Sequence, residues 1–243
     1  MRSTIFRQYD SRWGSLGYPA SPYTLSGSGC GCCACAHLVI EMDKYKSYTP
    51  KDFRKYMVEQ GFATKGNGTT WDGMTKTLQH YGYSPKKPDV SSSMNAAWTE
   101  LNKGNRAGII LFRSGSKGGV TWTTGGHYVA FLKYKVKSGK HYFYMKDSGA
   151  RKHDGWYCYE TTMKGLIRQM WIVTLPTSTT TTTKKTTTTK TTTTKKTTTS
   201  GSTTKSSKPS YTVGKTYTTQ VEVNVRKGAG DKLCESRLFR TYR

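Results

Sequence analysis

Residues 26–40, SGSGCGCCACAHLVI, put four cysteines into six positions on the way from a Ser/Gly loop into an apolar run. How these thiols are used decides what kind of domain surrounds them. The apolar run after the loop reads as a buried helix, and Cys30 stands where loop gives way to helix. A thiol there faces the free backbone N–H groups and the positive end of the helix dipole, which favour the reactive thiolate. Gly29 and Gly31 allow a tight turn and close approach of another backbone. Cys32, Cys33 and Cys35 fall on or near the helix, where small thiols read as packing residues. A zinc or cluster site needs ligands converging on one ion. A regular helix spreads these side chains around its circumference, and no second ligand pair lies elsewhere, so no metal and no cofactor is expected. Cys158 and Cys234 sit far from the cluster, unlike the spread of a disulfide framework.

Working outward, TPKDFRKYMVEQG (49–61) has a Thr cap, Pro at the first helical position and a closing Gly. TTWDGMTKTLQHYG (69–82) and SSSMNAAWTELNKG (91–104) repeat the pattern of polar start, apolar spacing and terminal Gly. AGIILFR (107–113), HYVAFLKYKV (127–136), KHYFYMKDS (140–148) and MWIVTL (170–175) are short apolar or alternating runs of strand type. Helices first and a largely antiparallel sheet afterwards predict an α+β domain over residues 1–176.

From Thr177 the composition shifts to Thr and Lys, with no residue able to build a core, and 177–210 reads as a disordered linker. Of the +25 formal charge, residues 1–176 carry 25 Lys and Arg against 11 Asp and Glu. The linker adds seven lysines and no acid. Such a field draws the protein to polyanions: nucleic acid, anionic membrane or the teichoic polymers of a cell wall. KYKVKSGKHYFYMK (133–146) interleaves basic and aromatic residues, a weak version of a nucleic-acid groove. A solvated lysine-rich hairpin is the simpler reading, and no specific nucleic acid is expected. No apolar stretch reaches membrane-spanning length. The start, MRSTIFRQYDSRWG, lacks the apolar core of a secretory signal.

A thiol hydrolase needs a His base and a group to orient it. TTGGHYVAF offers His127 at the head of a predicted strand, with two glycines leaving its ring accessible. YFYMKDSG offers Asp147 at the end of the next strand, where a hairpin brings it beside the imidazole and fixes the tautomer.

The stretches FRQYDSRWGSLGY and YTLSGSGCGCCACAHLVI, followed by GGHYVAF and KDSG in that order, resemble the bacteriocin-processing type of cysteine peptidases over roughly residues 3–175. The resemblance implies a papain-like fold with Cys30 as nucleophile, His127 as base and Asp147 as orienter. It also implies Gln8 as side-chain donor to the oxyanion. Cys32 and Cys33 depart from the family's pattern of Pro and a small residue. YTVGKTYTTQVEVNVRKGAG, in 211–243, resembles the first strands of a bacterial SH3-like wall-binding domain, of which about half is present. Together these imply a phage endolysin-like, monomeric peptidoglycan hydrolase, acting on wall peptides and near anionic wall polymers. It would be made in the cytoplasm and reach the wall after release. The alternatives are a peptidase that trims leader or toxin peptides, and a non-catalytic basic wall-binding protein.

Overall fold

In the computed structural model, residues 3–176 are described. The Thr/Lys-rich stretch 177–210, the segment 211–243 expected to resemble an SH3-like domain, and Cys234 lie outside them. Six helices and nine strands follow in order among the described residues, apart from one short 3-10 turn. The helices are α1 (Leu25–Ser28), α2 (Cys30–Val39), α3 (Pro50–Glu59), α4 (Trp71–His80), α5 (Asn95–Leu101) and α6 (Tyr159–Thr162). A small hairpin, β1 (Ala63–Thr64) and β2 (Gly68–Thr69), lies between α3 and α4. Strands β3 (Arg106–Phe112), β6 (His127–Lys137), β7 (Lys140–Lys146), β8 (Gly155–Cys158) and β9 (Ile167–Thr174) form an antiparallel sheet in the order β8-β7-β6-β3-β9. Strands β4 (Gly115–Lys117) and β5 (Val120–Thr123) make a separate hairpin. The domain is α+β, as the sequence predicts.

All ten residues of α2 are buried. A helix that is apolar all round belongs in the middle of a structure. Helix α2 is accordingly enclosed by α3 and α4 on one side and the sheet on the other. Gly31 permits this contact, because a Cβ there would sit 2.2 Å from Thr69 Oγ1 on β2. Helix α3 carries the predicted signals: Thr49 forms a capping box with Asp52, Pro50 opens the helix, and Gly61 follows it at φ +69°.

The sheet buries both faces, and β3 shows this in consecutive residues. Ala107, Ile109 and Leu111 face α2, whereas Ile110 and Phe112 join Ala97 and Leu101 of α5 on the opposite side. A continuous apolar run is what a doubly covered strand requires. The β6–β7 hairpin turns through Ser138 (φ 50°) and Gly139 (φ 69°), the two left-handed residues of a tight hairpin turn. Leu132 forms a bulge between Phe131 and Lys133. The chain segment before α1 packs across the end of the sheet. Lys146 Nζ donates to the carbonyls of Ser3 and Thr4, and His37 Nε2 accepts the Phe6 N–H at 2.8 Å.

Candidate active site

Cys30 is the first residue of α2 rather than the last of a loop; the Ser/Gly stretch expected to be a loop forms the short helix α1, with Gly29 between the two helices. His127 opens β6, and Asp147 follows the last residue of β7. These strands pair with Ala130 opposite Lys146, which carries Asp147 alongside the start of β6. His127 Nε2 donates to Asp147 Oδ1 at 2.7 Å. That leaves Nδ1 for the hydrogen bond between imidazole and the Cys30 thiol. The three side chains thus form one chain of contacts, from residues 97 and 20 positions apart in sequence.

Burial opposes charge on all three groups, and hydrogen bonding overrides it. Burial raises the Cys30 thiol. The imidazole of His127 and the backbone N–H groups of Tyr128 and Gly31 outweigh that, and its pKa lies below the ordinary value. Burial lowers His127, but Asp147 and the Cys30 sulfur on its two sides raise it to about 10. Asp147 is also opposed by burial. Its bonds from His127, from Gly149 N–H at 2.8 Å and from His153 N–H at 3.0 Å hold it at about 2. The arrangement therefore favours a thiolate–imidazolium pair backed by a permanent carboxylate.

The other three helix thiols have a different setting. Cys32, Cys33 and Cys35 are fully buried, and burial raises each of them, Cys32 to about 12. Cys32 and Cys35 pack on the sulfurs of Met57 and Met74. These are packing thiols, and Cys30 alone among them lines the cleft. Among the described residues no three metal-ligating side chains converge, and no cysteine is in a disulfide.

Gln8 also lines this cleft of about 300 Å³, with Cys30, Trp122, His127 and Arg151. Its backbone N–H bonds to Ser148 O at 3.0 Å, and its side-chain Nε2 donates to Ser26 O at 2.5 Å. Ser148 Oγ donates to Gln8 Oε1 at 3.3 Å, which fixes the amide with its nitrogen towards α1, just ahead of Cys30. The second amide hydrogen remains for the cleft. All four residues singled out in the sequence are therefore brought to one place.

Several supporting residues escape a linear reading. Arg7 donates to the Asp147 carbonyl and pairs with Asp154, whose Oδ1 accepts the Asp147 N–H at 2.9 Å. This clamp fixes the loop that carries the carboxylate, and it joins residues 140 or more apart in sequence. Gly149 packs directly on the acid–base pair: a Cβ there would lie 3.1 Å from His127 Nε2 and 3.2 Å from Asp147 Oδ1. The only local signal for any of these was the Asp-Ser-Gly turn. His141, a turn-adjacent residue in the sequence, pairs with Glu160 at 2.7 Å and stacks on Trp98, away from the cleft. A scan against protein-family models finds no match, and no curated protein matches the chain.

Proposed function

We propose that the domain is a papain-like cysteine hydrolase that cleaves amide bonds in bacterial peptidoglycan peptides. The observation that carries this reading is the unbroken contact from Cys30 through His127 to Asp147 in an open cleft. A base within hydrogen-bond reach of a thiol, itself oriented by a third group, is the arrangement nucleophilic catalysis requires.

The chemistry follows from the positions. The Cys30 thiolate attacks the amide carbonyl carbon, and charge moves onto the carbonyl oxygen. The free N–H of Gln8 and the backbone N–H of Cys30 donate to that oxygen. Collapse of the intermediate breaks the C–N bond, and imidazolium His127 gives its proton to the departing amine. The fragment held as a thioester is then attacked by water, from which neutral His127 takes a proton. The carboxylic acid leaves and the thiolate–imidazolium pair is restored. Asp147 remains ionised throughout and keeps the ring oriented.

The wall as substrate is supported by the resemblance in both parts of the chain and by the excess of 14 positive charges on residues 1–176. Digestion of purified Gram-positive walls, with mass spectrometry of the released fragments, tests the reading and identifies the bond. New amine ends are expected with the native protein and none with Cys30→Ser, whereas Cys33→Ser should retain activity. Loss of activity in Cys33→Ser but not in Cys30→Ser would overturn the assignment of the nucleophile.

A further inference from the structure

The sheet extends past the helices that cover it. Strand β3 pairs with β6 only as far as Gly108 opposite Phe131, so residues 133–137 run beyond that neighbour. One face of this overhang is filled: Tyr134 and His141 stack with Trp98 of α5, and Tyr134 packs on Phe143. The other face is bare, and the strand register gives its composition. Lys133, Tyr144 and Trp156 form one cross-strand row, Lys135, Tyr142 and Cys158 the next, and Lys137 with Lys140 the last. All four lysines are exposed, and these rows contain no acidic residue. Trp156 is 40% exposed although it is among the largest apolar side chains of the domain. Lys135 Nζ lies 4.0 Å from the Trp156 ring centroid.

Beside this face, between the free stretch of β6 and the turn before β3, runs a groove of about 460 Å³. Lys133, Lys135, Val136, Trp156, Arg106 and Leu175 line it. The catalytic residues line a different cleft.

We propose that this bare overhang and its groove are a second binding site, for an anionic sugar-phosphate or polyol-phosphate polymer of the cell wall. The choice of a wall polymer rests on the wall-hydrolase reading; the polyanion chemistry rests on the surface itself. Four exposed lysines in rows that contain no acid match a repeating phosphate, and the adjoining carboxylates are engaged, Glu160 by His141 and Glu100 by Arg106. The exposed indole gives an apolar platform for a sugar or polyol face. Single-stranded nucleic acid binds best where successive aromatic rings stack successive bases. Trp156 and Tyr144 meet at 73°, with ring centroids 5.5 Å apart, and so offer one platform rather than a parallel series. Tyr144 is three residues from Asp147, about 10 Å along an extended strand. A polymer seated here would hold the enzyme against the wall within reach of the peptides attached to it.

The test uses the full chain carrying Cys30→Ser, titrated with purified poly(glycerol phosphate) at 0.1 M salt. Lys133→Gln/Lys135→Gln and Trp156→Ala should each weaken binding, the double lysine variant by about tenfold. The control Lys51→Gln/Lys55→Gln removes the same charge from the exposed side of α3 and should change affinity less than twofold. Equal losses in the two double variants would mean that net charge alone binds, and would overturn the site. A single-stranded oligonucleotide of matched charge that binds more tightly, with the same dependence on Trp156, would overturn the glycan assignment. The same overhang substitutions made in the chain that retains Cys30 should leave cleavage of a small neutral peptide at the native rate. No polymer binding with intact peptide cleavage would sink this proposal alone, whereas binding without any thiol-dependent cleavage would sink the hydrolase reading alone.

Discussion

At the scale of single residues, the proposed mechanism assigns chemistry to some groups and support to others. Gln8→Ala removes one donor to the developing oxyanion but leaves Cys30, His127 and Asp147 in place. Loss of one such donor lowers kcat by about 10²–10³. Steady-state kinetics should show that fall with KM little changed, and an unaltered thiolate absorbance would distinguish it from damage to the Cys30–His127 pair. Gly149 is a positioning residue. The methyl of Gly149→Ala would press on His127 Nε2 and Asp147 Oδ1 at distances that force both to shift by a few tenths of an ångström. A misplacement of 1 Å can cost about 100-fold, so a smaller shift should lower kcat by roughly tenfold. Gly149→Ala should also move the acidic limb of the pH–rate profile, because the imidazole would bond less well to its carboxylate. Unchanged kinetics would mean that the loop yields and the glycine has no positioning role.

At the scale of elements, helix α2 and the hairpin of β6 and β7 carry the site, and both were legible in the sequence. The helix ends are set by near neighbours, such as Thr49, Pro50 and Gly61 around α3. The β6–β7 turn is set by Ser138 and Gly139. Local signals of this kind survive folding unchanged. The β4–β5 hairpin, with Gly118 and Gly119 at its turn, also had a local signal, but its strands are too short to stand out. Gly149 was signalled only by the Asp-Ser-Gly turn, and the partners Arg7 and Asp154 were not legible, because their roles arise only when the sheet brings the chain start against residues 147–154. Helix α2 depends on close approach to β2. Gly31→Ala favours the helix by about 1 kcal/mol in isolation, yet its Cβ would overlap Thr69 Oγ1. Overpacking of this kind costs about 1–3 kcal/mol. With roughly 2–4 °C per kcal/mol for a domain of this size, calorimetry should record a Tm several degrees lower. A raised Tm would show that Thr69 rotates away without loss.

At the scale of the whole molecule, stability should depend on acid through a residue that takes no part in the proposed chemistry. His37 is buried in the middle of α2's surroundings, and its Nε2 accepts the Phe6 N–H. Burial, then the nearby charges of Lys146 and Arg7, depress it from 6.5 to about 3. The neutral ring is therefore favoured in the folded state. Its contribution is complete above pH 6.5 and is lost as pH falls from there towards 3, because the unfolded chain takes up the proton first. At pH 4.5, two units below 6.5, the loss should be about 3 kcal/mol. Urea unfolding at pH 7 and pH 4.5 would reveal it. His37→Gln, which can still accept from Phe6, should unfold with a smaller acid sensitivity over the same window. Equal sensitivity in both proteins would remove His37 as the cause.

The clamp between Arg7 and the Asp147–Asp154 loop has a consequence for timing. During synthesis Cys30 leaves the ribosome long before His127, Asp147 and Asp154 exist, and Gln8 has its bond to Ser26 but not those to Ser148 until Ser148 is made. On the proposed mechanism the thiol until then lacks its base, and it remains an ordinary cysteine. Reactivity would wait until residues 127–154 have joined the sheet. On the hydrolase reading, a chain stopped short of residue 154 would show no thiol-dependent cleavage.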